Sequence, residues 1–245
     1  MRPGFDLRLM LVTDAAMTAR RGLIATVKAA VAGGVTIVQL RDKHAHDDDL
    51  VALARALRAE LAPRGVPLVV NDRPGVALAA GADGVHIGQD DGDPRQTRRI
   101  IGPDRLLGLS VTRAGETATA EAGVVDYVGL GPVFASATKT DAAPPLGLDG
   151  LRAAGTMLSL PFVAIGGIAA ENAAAAIGAG AAGVAVVSAI CAAEDPRAAA
   201  AALRRAVETR AARLGPSMKA APSEVNSGAR RNDGTEGGTK GTRTA

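Results

Sequence analysis

Short apolar runs recur along the chain, each followed by a longer segment in which apolar side chains return every three or four positions. The runs predict strands near 7–13, 36–41, 67–71, 84–87, 106–111, 127–131, 161–165 and 183–187. Segments between them, such as LIATVKAAVAGG and DDLVALARALRAELAPRG, carry the helical spacing and stop at glycine with proline nearby. Strand and helix therefore alternate eight times in about 210 residues, which predicts an α/β fold, a single-domain (β/α)8 TIM barrel over 1–214. A doubly wound open sheet shares the alternation and is the alternative.

The predicted strand ends favour the barrel. In Ile37 to Lys43, the polar side chains Gln39, Arg41 and Lys43 fall at every second position, so one face of the strand end carries all three. A buried strand tolerates that only where the face opens into a ligand-filled mouth, and in a barrel the mouth lies at the C-terminal ends of the strands. Asn71 and Asp72 end the third run, Gln89 to Asp91 follow the fourth, and Ser110 ends the fifth.

Composition removes several classes of function. The net charge is +3, but five basic and three acidic residues of that balance lie beyond Gly215, so the body is close to neutral. With three Phe, one Tyr and no Trp, it has neither the basic stripe nor the stacking platform of a nucleic-acid binder. One cysteine, Cys191, excludes an internal disulfide framework and suits a reducing cytoplasm. The amino terminus lacks a secretory pattern and no window reaches a membrane span, so a cytoplasmic, membrane-free protein is expected. Residues 215–245, rich in Gly, Ser, Thr and charge, are expected to be a disordered tail without function.

Lysine is scarce in the body, where only Lys28, Lys43 and Lys139 occur among many arginines. Lys139 closes GLGPVFASATK, a Gly/Ser/Thr loop after a strand, and Lys43 closes a second strand end; a compact ammonium at both places points to phosphorylated ligands. The seventh run ends in AIGG and the eighth in VAVVS, where bare backbone N–H groups in many barrels cradle phosphate. The plainer account of Gly166 and Gly167 is a turn that needs positive φ. Asp72, Asp90 and Asp91 offer oxygen ligands from two loops, which suits Mg²⁺ with its few protein ligands. Their plainer account is loop capping, which the neighbouring Arg41 and Lys43 outweigh.

VQLRDK, VVND, GVHIGQDD, GLS, GLGPVFASATK, AIGGI and GVAVVSAI resemble, in order and spacing, the thiamine-phosphate synthases, a family of (β/α)8 barrels, over roughly residues 7–210. The resemblance implies a transferase that joins 4-amino-2-methyl-5-(diphosphooxymethyl)pyrimidine to 4-methyl-5-(2-phosphooxyethyl)thiazole or its carboxylated form. The products are thiamine phosphate and diphosphate. It implies that the pyrimidine diphosphate is held by Gln39, Leu40, Arg41, Asp42, Lys43, Asn71, Ser110 and Lys139. Thiazole phosphate would be held by Ser136, Ala137, Thr138, Gly167, Val187 and Ser188, and Mg²⁺ by Asp72 and Asp91. Arg41, Lys43, Ser110 and Lys139 would carry catalysis. The family commonly has threonine at the position of Ser136, and the hydroxyl is retained. Partners are expected to be small phosphorylated substrates, and a homo-oligomer is left open.

The remaining chemistry-bearing residues have plainer readings. His86 is expected to be a hydrogen-bonded histidine inside the barrel, because the implied chemistry gives it no proton to move. His44 and His46 lack a zinc spacing and are expected in a solvated loop, and Cys191 as a small buried residue. A thiazole tautomerase would have no use for the diphosphate clamp of Gln39, Arg41, Lys43, Asn71 and Lys139. A non-catalytic phosphate sensor would have no need of both Asp72 and Asp91.

Overall fold

The computed structural model describes residues 4–135 and 144–214, with side chains to residue 212. The tail 215–245, and with it the expectation of disorder there, lies outside the described residues.

Eight strands, β1 (Leu9–Val12), β2 (Ile37–Leu40), β3 (Leu68–Asn71), β4 (Gly84–Ile87), β5 (Leu106–Val111), β6 (Tyr127–Leu130), β7 (Phe162–Ile165) and β8 (Gly183–Val186), form a closed barrel in sequence order. Every pairing is parallel, including β1 with β8, so the open sheet is excluded. The strands fall within a residue or two of the apolar runs, because full burial on both faces leaves little else that such runs can do.

Helices α1 (Ala15–Thr18), α2 (Leu23–Ala32), α3 (Asp47–Leu61), α4 (Pro74–Ala80), α5 (Pro94–Ile101), α6 (Gly147–Thr156), α7 (Ala170–Gly178), α8 (Ser188–Cys191) and α9 (Pro196–Leu214) surround it. In α3, Asp47, Asp48 and Asp49 sit in the first turn and Arg58 in the last, matching the helix dipole. The fifth connection departs from the expected strand-helix unit: between β5 and β6 the chain makes only a 3-10 segment, Ala114–Thr119. Its sequence has no apolar stripe to bury, and Glu116 accepts hydrogen bonds from Thr112 N (2.7 Å) and Arg113 N (3.3 Å) instead.

Alternate strand residues divide between two cores. Outward side chains such as Leu11, Val38, Leu40, Val70 and Leu109 pack under the helices. Inward ones, Met10, Ile37, Val69, Leu106, Tyr127, Val163 and Ala185, plug the barrel itself. Between α5 and the start of β6, Arg98 meets Asp126 at 2.7 Å with both side chains nearly buried, and Asp126 also accepts from Leu107 N at 2.8 Å. Among the described residues, no helix is long and apolar enough to cross a membrane.

Candidate active site

Above the apolar plug the inward positions turn polar. Gln39 on β2, Asn71 on β3, His86 on β4 and Ser110 on β5 follow one another around the wall, with Asn71 in register with His86 and Ser110 with Gly129. Gln39 and His86 are buried, whereas Asn71 and Ser110 are only partly covered. Burial pushes His86 down to about 4, which keeps the ring neutral. It is a hydrogen-bonded barrel histidine, as its place in the strand predicts: Nε2 lies 2.9 Å from Ser110 Oγ and Nδ1 lies 3.1 Å from the Tyr127 hydroxyl.

Two carboxylates stand at the mouth. Asp72 follows β3 with φ 61, the one described non-glycine residue at positive φ, and Arg73 N donates to Asn71 O across it at 2.8 Å. A non-glycine residue held in that conformation stores some strain, less for Asp than for most side chains, and such positions cluster at functional sites. Asp91, in the loop after β4, accepts from Gly88 N at 2.7 Å. Asp72 is pushed up to about 6, first by burial and then by its hydrogen bond to Asp91 and that carboxylate's charge, against the pull of Lys43 and Asn71. Such a like-charge pair is relieved either by a shared proton or by a cation. Among the described residues, no three His, Cys, Asp or Glu side chains gather as metal ligands. Two hard carboxylates therefore fit Mg²⁺, which takes few protein ligands, and not a closed structural zinc site.

The cationic strand end is built differently from the simple alternation. β2 stops at Leu40, so the expected face of Gln39, Arg41 and Lys43 is a strand face only at Gln39. Arg41 is placed by its backbone N–H, which donates to the buried Thr13 Oγ1 at 3.0 Å. Asp42 caps the loop, accepting from His44 N (2.9 Å) and Ala45 N (3.1 Å), and Leu40 turns its side chain into the outer core. A ligand contact at Leu40 would thus fall to its backbone. Lys43 is exposed and close enough to Asp72 to lower its pKa.

Sequence reasoning missed Arg73. Its guanidinium reaches back from β3 and donates to Ala45 O (2.6 Å), Lys43 O (3.2 Å), Asp42 O (3.3 Å) and the Asp47 carboxylate (3.0 Å). One side chain thereby ties the Lys43 loop to the residue beside Asp72. Gln89 stands in the polar run after β4; its Nε2 donates to Ser110 O at 2.7 Å and so fixes the end of β5.

On the opposite wall, Gly166 and Gly167 have φ of 95° and 63°. A side chain on Gly167 would begin 2.6 Å from Ala135 O and 2.8 Å from Phe134 Cβ, so glycine serves both the turn and the close approach of the loop after β6. Val187 and Ser188 follow β8 beside it, Ser188 exposed. Ser136, Ala137, Thr138 and Lys139 lie outside the described residues. His44 and His46 are exposed, and Cys191 is buried with its thiol pushed up to about 11 by desolvation.

A family model described as thiamine monophosphate synthase matches residues 9–190. The thiamine-phosphate synthase of Xanthobacter autotrophicus is 56% identical over 203 residues, 83% of this chain and 96% of that protein. That of Azorhizobium caulinodans is 53% identical over 205 residues, 84% and 97% of the two chains. Among solved structures, the thiamine phosphate pyrophosphorylase from Pyrococcus furiosus superimposes with a TM-score of 0.76 at 36% identity, covering 83% of this chain and 96% of that one. A 3-hexulose-6-phosphate synthase at 22% identity and TM-score 0.61 shares the fold alone.

Proposed function

The chain belongs to the thiamine monophosphate synthase family and is a transferase that makes thiamine phosphate, and from that premise we propose how its residues do so. The substrates are 4-amino-2-methyl-5-(diphosphooxymethyl)pyrimidine and 4-methyl-5-(2-phosphooxyethyl)thiazole, or the carboxylated thiazole, which must also release its carboxyl group as CO₂ to give the same product. The bond from the methylene carbon to the diphosphate oxygen breaks, with both electrons leaving on diphosphate. A new bond then forms to that carbon from the lone pair of the thiazole nitrogen. That nitrogen carries no proton, so no general base is needed, in keeping with a neutral, buried His86.

Work is needed instead on the leaving charge. Arg41, Lys43 and Lys139 neutralise it, while Gln39, Asn71, Ser110, the Leu40 backbone and the loop capped by Asp42 position the pyrimidine. Asp72 and Asp91 would hold Mg²⁺, which when bound would neutralise diphosphate oxygens. Ser136, Ala137, Thr138, Gly167, Val187 and Ser188 form the thiazole-phosphate side, where Gly167 lets the backbone come close. The catalytic unit in this reading is the barrel within 1–214; residues 215–245 contribute nothing to it, and the enzyme works in the cytoplasm on small phosphorylated substrates.

The observation that carries the reading is the half-buried Asp72, hydrogen-bonded to the exposed Asp91 and near Lys43, at the mouth of a barrel of this family. Its test is incubation of the purified full chain with both substrates and Mg²⁺, against a chelated control. Equal amounts of thiamine phosphate and diphosphate, formed only with metal, are expected. Joining that is indifferent to chelation would overturn the metal assignment, and no joining by a folded protein would overturn the reaction.

A further inference from the structure

Three strands of the barrel contribute to one buried hydrogen-bond chain, Tyr127 on β6, His86 on β4 and Ser110 on β5, with contacts of 3.1 and 2.9 Å. Room for it is made by glycine. A Cβ on Gly108 would overlap both the Tyr127 ring and His86 Nδ1, and one on Gly129 would lie 3.2 Å from His86 Cε1. Inward positions on two adjacent strands are thus left without side chains so that these groups can meet.

Hydrogen-bond bookkeeping fixes the direction of the chain. The Tyr127 hydroxyl is fully buried, and burial pushes its ionisation far up, so it keeps its proton. Among the described residues its one hydrogen-bond partner is His86 Nδ1. A phenol proton buried without an acceptor would forfeit a hydrogen bond, so the hydroxyl donates to Nδ1. The buried neutral ring then carries its hydrogen on Nε2 and donates it to Ser110 Oγ. With an oxygen lone pair engaged from below, the Ser110 hydrogen turns toward the barrel mouth.

We propose that Tyr127 is a positioning residue that, through His86, locks Ser110 as a hydrogen-bond donor to an acceptor atom of the pyrimidine substrate. The identity of that ligand rests on the function proposed above; the direction of the chain does not. A donor at this point selects an unprotonated ring nitrogen or an oxygen and rejects an N–H. In its absence the histidine is free to take either tautomer, and half of them leave Ser110 donating downward.

The test begins with ring ¹⁵N spectra of the full-length protein without substrates. Hydrogen on His86 Nε2 is expected; hydrogen on Nδ1 overturns the proposal. In Tyr127→Phe, with folding checked by circular dichroism, the tautomers should mix, and KM for the pyrimidine diphosphate should rise about twofold, the factor set by halving the competent population. KM for thiazole phosphate should not change. A merely structural role would move neither the tautomer ratio nor one KM selectively. Ser110→Ala should raise KM for the pyrimidine diphosphate roughly tenfold, the scale of one hydrogen bond, while keeping the Nε2 tautomer, and adding Tyr127→Phe to it should cost little more. Additive losses, or a Tyr127→Phe protein with the wild-type tautomer and KM, would refute the coupling. A wild-type protein with hydrogen on Nε2 but no affinity for the pyrimidine diphosphate would overturn the proposed substrate and, with it, the selecting role, leaving only the direction of the chain.

Discussion

Acid should attack this barrel through His86. In the unfolded chain the imidazole titrates near 6.5, whereas burial in the barrel lowers it to about 4, so between those values the unfolded state binds the extra proton. Stability is therefore complete above about 6.5 and is lost as pH falls toward 4. That lowering is worth about 3 kcal/mol, and linkage places about 2 kcal/mol of the loss above pH 5. No discount for solvent screening applies, because the ring is fully buried. The groups facing it are Tyr127, Ser110 and the charge of Asp91, which opposes the shift without cancelling it. Asp72, raised to about 6, works in the opposite direction over part of the same range, so the wild-type profile is a sum. Urea unfolding of wild type and His86→Gln at pH 7.5 and 5.0, in metal-free buffer, separates the two. The variant should be weaker at pH 7.5, but its further loss on acidification should be smaller than that of wild type by about 2 kcal/mol. Equal losses in the two proteins would refute the assignment of the acid sensitivity to this ring.

Asp72→Asn should raise the melting temperature of metal-free protein at pH 7.5, since the raised pKa marks a carboxylate that folding disfavours in its charged form. The gain should fade toward pH 4, where wild-type Asp72 is protonated, and Mg²⁺ should stabilise wild type but not the variant in differential scanning fluorimetry. Arg73→Ala removes four hydrogen bonds to the Lys43 loop, so KM for the pyrimidine diphosphate should rise by about ten- to a hundredfold in steady-state assays, with Arg73→Lys recovering little because an ammonium lacks the fork. Lys139→Ala should lower kcat by about a hundredfold or more while leaving the urea midpoint unchanged, as expected of a cation that meets charge developing on the leaving group.

Much of the candidate site was legible because strand ends carry it. Gln39, Asn71, His86 and Ser110 are polar side chains in runs that otherwise bury apolar ones, and an inward polar residue near the end of a barrel strand has few places to go but the mouth. The expected face of Gln39, Arg41 and Lys43 was legible only in part. Alternation predicts direction while the chain remains a strand, and β2 ends before Arg41, after which the Thr13 hydroxyl and the Asp42 cap set the path. Arg73 gave no signal, since three of its four acceptors are backbone carbonyls of a loop about 30 residues away, and a carbonyl looks the same whatever the side chain.

By itself the sequence determined the architecture and suggested the kind of chemistry: the period of its apolar positions makes eight buried strands, and its glycines, carboxylates and scarce lysines follow their ends, where the proposed phosphate chemistry calls for them. Tertiary structure decided which of these groups work together. Tyr127 lies 41 residues from His86, and Ser110 lies 24 residues from it, in a chain with no pattern linking them. Only the stagger of closed, paired strands brings the three to one level, and only there do burial and the absence of other partners settle which atom holds each hydrogen. The same closure brings Asp72 against Asp91 and raises its pKa, because charge repulsion and desolvation depend on distance and surroundings, which side-chain type alone does not specify.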